Sequence, residues 1–173
     1  SREEKLTSIP GIEIKGRSQK SKRKIFIYGQ EDIYFSKNKK VLSVFLPVPE
    51  AAVYLEFYYG FIKVPQDKMD SEFEVVIECK GKNLFKRMLK PGSFRELRKK
   101  KKNKASFSWS KAHISLKPYC GEKVRLRFKL TAAEEIDQKK IVFGWTNFRI
   151  IKEMNVIRKK KENNKPNIML ILC

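Results

Sequence analysis

The chain is poor in the residues that build metal, redox and nucleotide sites. Its 173 residues include one histidine, His113, and three cysteines, Cys79, Cys120 and Cys173, with no Cys-x-x-Cys pair. A Cys/His zinc centre needs about four nitrogen or sulfur ligands at close spacing, so that class is excluded. One disulfide, Cys79 to Cys120, fits the count, but burial as free thiols is the plainer reading. Cys173 is left over either way. Eight glycines occur without any G-x-x-x-x-G-K, which removes a P-loop phosphate site. No apolar run reaches the roughly 18 residues of a membrane-spanning helix. The opening "SREEKLTSIPGIEIKG" lacks the apolar core of a secretory signal. Acid is scarce too: 19 Asp and Glu stand against 40 Lys and Arg, a formal charge of +21.

What is present is enough for a core. Hydrophobic residues make up 41% of the chain and aromatics 12%, which argues against wholesale disorder. The surplus of positive charge attracts polyanions and anionic membranes, whether or not that is its purpose. The bland alternative is solubility. Lys outnumbers Arg, and ammonium groups suit diffuse solvation better than bidentate phosphate recognition.

Residues 1–24 read as a polar lead-in ending in "GRSQKSKRK". From Ile25 the texture turns to short β-branched and aromatic runs: "KIFIYG", "DIYFS", "VLSVFLPVP" and "AAVYLEFYYGFIKVP". "EFEVVIECKGKNLFKRMLK" predicts a hairpin turning at "KGKN". Phe73, Val75 and Ile77 alternate there with Glu72, Glu74 and Glu78. "SFRELRKKKK" fits either a helical turn or a solvated loop. "ASFSWSKAHISL" returns to strand texture. Val124, Leu126, Phe128 and Leu130 alternate with Arg125, Arg127 and Lys129, the cleanest period of two in the chain. "IVFGWTNFRIIK" predicts one or two closing strands around Gly144. Eight to ten short strands with almost no helix predict an all-β fold, an antiparallel β-sandwich spanning 25–151. A charged linker, 152–166, follows.

Two segments resemble known families. The closing pattern carried by Leu116, Tyr119, Gly121, Val124, Leu126, Phe128, Gly144, Trp145 and Ile150 resembles galactose-binding-like jelly rolls. Thr146-Asn147 stands where that family often has an acidic pair, so no calcium or ligand site is carried over. "KPNIMLILC", residues 165–173, resembles the opening strand of sulfatases and related members of the alkaline phosphatase superfamily. In that family such a strand delivers metal-binding Asp residues at its carboxyl end, as parallel, doubly buried strands do. The resemblance implies that 167–173 is the first strand of a hydrolase domain lying further on. The present chain would then be its non-catalytic accessory domain, with no catalytic residue, metal ligand or cofactor of its own. A calcium-like divalent metal belongs to that downstream domain, which is the expected partner. Sulfatase-like enzymes usually act outside the cytoplasm, so an exported location is implied. The formylglycine motif Cys/Ser-x-Pro-x-Arg is absent; Ser8-Ile9-Pro10-Gly11-Ile12 lacks the Arg and lies on the wrong side.

The loudest electrostatic feature is the run of Arg98, Lys99, Lys100, Lys101, Lys102 and Lys104, with Arg158-Lys159-Lys160-Lys161 a second. Either could follow the phosphates or sulfates of a polyanion by counter-ion release, or simply be solvated. The first run is the candidate polyanion site of a free-standing glycan- or nucleic-acid-binding module, the alternative to an accessory domain. Anionic polysaccharide is the favoured ligand. Nucleic acid is disfavoured, because the aromatics follow strand periodicity instead of interleaving with the basic residues. His113 has no nominated acid or nucleophile beside it and reads as structural. Glu72 and Glu74 read as a solvated sheet face, and Glu134-Glu135 as part of a polar connection, so paired-carboxylate hydrolysis is set aside. Tyr54, Phe57, Tyr58, Tyr59 and Phe61 read as packing before they read as a sugar-stacking platform.

Overall fold

The computed structural model describes residues 3–20, 32–36, 41–51, 53–96, 106–132 and 140–152. Strands dominate: β1 (Glu3–Lys5), β2 (Glu13–Lys15), β3 (Arg17–Lys20), β4 (Asp32–Ser36), β5 (Leu42–Pro47), β6 (Val53–Lys63), β7 (Phe73–Cys79), β8 (Lys82–Leu89), β9 (Arg95–Glu96), β10 (Ser106–Phe107), β11 (Ser110–Ser115), β12 (Lys123–Ala132) and β13 (Val142–Lys152). Helix among the described residues is limited to short 3-10 turns. The first sheet runs β11-β6-β13-β4-β3, with β1 also paired to β13; the second runs β2-β5-β12-β7-β8. All their pairings are antiparallel. The two sheets form the expected antiparallel sandwich, and their facing sides make one core.

Alternation decides what enters that core. β12 buries Val124, Leu126, Phe128 and Leu130 while its basic residues face outward, as its sequence period predicts. β5 sends in Leu42, Val44 and Leu46, and β7 sends in Phe73, Val75, Ile77 and Cys79. From the first sheet, β6 contributes Val53, Leu55, Phe57, Tyr59 and Phe61, and β13 contributes Phe143, Trp145, Phe148 and Ile150. Rings bridge the sheets. Phe57 lies 5.9 Å from Phe128 and 5.7 Å from Phe85, and Phe128 lies 5.1 Å from Trp145. Most of these pairs are edge-to-face, the arrangement the ring quadrupoles favour.

The β7–β8 hairpin turns at Lys80 and Gly81, both with positive φ (49° and 78°), the backbone of a two-residue primed turn. Lys80 is held there by its 2.9 Å ion pair with Glu122. β13 is one strand, not two. It carries an irregularity between Thr146 and Arg149, where Asn147 takes φ 55°. The bulge returns Phe148 and Ile150 to the core side after Phe143 and Trp145.

Within the stretch expected as a polar lead-in, residues 3–20 add strands to both sheets. β1 joins the first sheet beside β13, β2 joins the second beside β5, and β3 pairs with β4. Leu6 and Ile9 are buried in the core. The physical reason is that edge strands expose one face and one side, so they need few apolar residues and read as polar. Cys79 is a free, buried thiol, so the Cys79–Cys120 bond is not formed. Cys120, half-buried, is itself disulfide-bonded, so the free-thiol reading holds for Cys79 and is corrected for Cys120. The stretches "KIFIYG", 152–166 beyond Lys152, and 167–173 lie outside the described residues.

Candidate functional site

Among the described residues, the outer face of the first sheet brings together an indole, two glycines and a set of ion pairs. It begins with a register fact: Gly60 on β6 stands directly opposite Gly144 on β13. With no side chains at either position, the sheet has a bare floor across two strands. A Cβ on Gly60 would meet the Trp109 ring at 3.2 Å, and a Cβ on Gly144 would meet the same ring at 3.0 Å. The six-membered ring of Trp109, just ahead of β11, therefore rests on both glycines. Ile62 and Ile33 flank it, 2.7 and 2.9 Å from the same imagined Gly144 Cβ. Trp109 is half-buried and Ile62 is 38% exposed, so this is an apolar surface facing outward, not core.

The neighbouring rows follow from strand pairing. Lys111 on β11 faces Tyr58 on β6, which faces Thr146 on β13. Thr146 donates a 2.9 Å hydrogen bond to the Asp32 carbonyl. The next row is His113, Glu56, Arg149 and Lys5. The Lys111 ammonium lies 3.3 Å from the Glu56 carboxylate and 6.0 Å from the Tyr58 ring centroid. Burial works to lower its pKa, but the hydrogen bond and charge of Glu56 outweigh that and hold it above the usual 10.5. The His113 ring meets Tyr54 edge-on at 5.5 Å. Arg149 is 3% exposed and its guanidinium is 3.7 Å from Glu3. Trp109 and Tyr58 thus lie in successive rows of this face, and Tyr54 lies beyond the His113–Glu56 row.

That arrangement can hold a polar ring by its faces and edges. Aromatic surfaces pack against the C–H face of a pyranose, and charged groups hydrogen-bond its hydroxyls. His113 sits against Tyr54 and across from Glu56 without a nucleophile in its row. Among the described residues, no group of three or more His, Cys, Asp and Glu gathers to hold a metal ion. Also among them, no helix is long and apolar enough to cross a membrane.

The aromatic run that reads as packing is divided by the pleat. Phe57, Tyr59 and Phe61 are core, whereas Tyr54 and Tyr58 belong to the outer face. Trp109 was hidden in "ASFSWSKAHISL" because nothing in its neighbourhood shows which glycines it will meet. The only signal was two isolated glycines, Gly60 and Gly144, inside strong strand patterns, which marks close approach by another group. Glu74 and Glu78 face outward on the second sheet as expected, each paired with cations. The predicted polyanion residues Arg98, Lys99, Lys100, Lys101, Lys102 and Lys104 lie outside the described residues, as do Arg158–Lys161 and Glu134-Glu135.

No family model matches the sequence, and no curated protein matches it. Solved structures do match its fold. The CBM51-2 and INT domains of Clostridium perfringens ZmpB superpose with a TM-score of 0.51 at 9% identity, covering 95% of this chain and 36% of that one. The CBM22-1 xylan-binding domain of Paenibacillus barcinonensis Xyn10C gives a TM-score of 0.44 at 12% identity, covering 87% and 92%. The K1 cleaved adhesin domain of a Porphyromonas gingivalis gingipain gives 0.49 at 9% identity, covering 87% and 97%. The likeness to the Clostridium perfringens domains shows the fold alone, an antiparallel β-sandwich.

Proposed function

We propose that this chain is a carbohydrate-binding accessory module, and that the sugar lies on the outer face of the first sheet. The observation that carries the reading is Trp109 resting on the Gly60–Gly144 floor. A large, half-exposed indole is seated outward while every core ring is accounted for inside. Tyr58, in the next row, extends the apolar surface, and the exposed Lys111 ammonium, fixed by the buried Glu56, supplies a polar edge. The likeness in fold to a domain named as a CBM51 module supports the class of ligand. The test is affinity electrophoresis of the whole chain in gels holding β-1,4-xylan, β-1,4-galactan or no glycan. Retardation by a glycan, reduced about tenfold or more by Trp109→Ala with the melting temperature kept, is the expected result. Mobility that no glycan alters, or that Trp109→Ala leaves unchanged, would sink the reading.

The module is further proposed to serve a sulfatase-like hydrolase. Support comes from the resemblance of residues 165–173 to that family's opening strand, and a metal-dependent ester hydrolase acting on extracellular glycan would suit a sugar-binding partner. On this reading the divalent metal belongs to the hydrolase and the pair works outside the cytoplasm. Reading the native coding sequence past Cys173 tests it. An Asp directly following, with Cys/Ser-x-Pro-x-Arg further on, is the expected outcome; any other continuation removes the hydrolase from the proposal.

A further inference from the structure

The second sheet presents an opposite chemistry on its own outer face. β12 projects Lys123, Arg125, Arg127 and Lys129 outward at every second residue, about 7 Å apart along the strand. Arg127 and Lys129 share one carboxylate, Glu78, at 3.4 and 2.9 Å. Arg125 and Lys123 have no carboxylate partner among the described residues. The Arg125 guanidinium is nevertheless fixed: Nε and Nη2 donate to the Ser43 hydroxyl at 3.3 and 3.1 Å, and its carbon lies 5.4 Å from the Phe45 ring centroid. Ser43 is buried, so the anchor is rigid. Lys15, from β2, brings a second cation to the same ring at 5.1 Å.

Two cations on one aromatic ring repel each other, and Glu13, 3.6 Å from Lys15 and exposed, compensates only one of them. A guanidinium has five donor hydrogens, and Ser43 accounts for two of Arg125's. The remainder form a preset fork for a carboxylate or sulfate. We propose that this face, led by Arg125 with Lys123 and Lys15 beside it, binds an anionic polysaccharide, independently of the Trp109 surface on the other sheet. The linear spacing along β12 suits a chain of repeated anionic groups. Phe45 already carries two cations and is only half-exposed, so it offers no platform for a nucleobase, which separates this surface from a single-strand nucleic-acid channel.

The test uses the whole chain, with heparin and polygalacturonate as anionic probes, dextran as the neutral one and single-stranded DNA as the competing class. Arg125→Gln with Lys123→Gln is compared with a charge-matched pair elsewhere, Lys63→Gln with Lys140→Gln, both exposed. The expected result is binding to an anionic glycan that falls about tenfold in the Arg125/Lys123 variant and less than twofold in the control. Its salt dependence should flatten in the same variant. Arg125→Lys should restore only part, because an ammonium lacks the fork. Trp109→Ala should leave this binding unchanged, so failure here is distinguishable from failure of the neutral-sugar site. Equal losses in both double variants would overturn the proposal, since diffuse charge would then suffice. DNA binding as tightly, and losing as much in the Arg125/Lys123 variant, would overturn it in favour of nucleic acid.

Discussion

Phe57 is the residue on which the two sheets meet. It is fully buried and its ring faces Phe85, Phe128, Trp145 and Phe148. Removing it leaves a void that neighbours on two rigid sheets cannot close. Phe57→Ala should destabilise the chain by about 3–5 kcal/mol, read as a shifted urea midpoint. A loss under about 1 kcal/mol would mean the rings do not pack as described. Gly144 makes the complementary case. An added methyl there must displace Ile62, Ile33 or Trp109, all of them side-chain atoms on the outer face. Gly144→Ala should therefore change the acrylamide quenching of Trp109 and weaken glycan binding, with a modest effect on stability. The other tryptophan, Trp145, is fully buried and contributes little to quenching. Quenching identical to the parent would show that the indole does not rest on this glycine.

Hairpin and bulge geometry govern the elements. At the β7–β8 turn, a Cβ on Gly81 would meet nothing within 4 Å, yet its φ of 78° disfavours any L side chain. Gly81→Ala should therefore cost about 1 kcal/mol or more through backbone conformation alone. A variant as stable as the parent in thermal melts would show that the turn is not of the primed kind. The sequence "KGKN" announces this turn correctly because glycine's freedom is a local property. The β13 bulge has no such local sign. Asn147 tolerates positive φ, but its amide is buried with neither polar atom partnered, so only tertiary pairing explains its place.

At the scale of the whole molecule, the titrating groups act in concert. Burial pushes the Cys79 thiol above its usual 9.0 against the hydrogen bond to Tyr119, and burial together with the charge and hydrogen bond of Cys79 pushes the Tyr119 hydroxyl above 10.0. The hydrogen bond to Glu122 raises Lys80 above 10.5, and Lys111 is raised against its burial by Glu56. All four folded values lie above the unfolded ones. Their stabilisation is whole below the ordinary values and is lost as pH rises through the folded ones. Glu78 runs the other way: the hydrogen bond from Lys129, with the charges of Lys129 and Arg127, lowers it below 4.5 against desolvation. Its contribution is present above that value and is lost as pH falls. The melting temperature should hold a plateau over roughly pH 5 to 9 and fall on both sides. A melting temperature that climbs between pH 9 and 11 would contradict this set of contacts.

Period-two alternation made the sandwich legible before any coordinates, because which way a side chain points along a strand is a local property. Val124 to Leu130 and Phe73 to Ile77 went where their spacing sent them. The edge strands in residues 3–20 read as polar because an edge needs few apolar residues, and Leu6 and Ile9 show their worth only once a core exists to receive them. The surface chemistry was the least legible part. Gly60 and Gly144 are far apart in the chain, and Trp109 is distant from Gly144. That they form one platform depends on the register of β6 against β13 and on β11 beside them. The same holds for Lys15, Phe45 and Arg125, gathered from three strands. Composition and periodicity determined the layers of this protein. Strand pairing alone decided which residues share a face, since a shift of one position would turn each of these groups to the other side of its sheet.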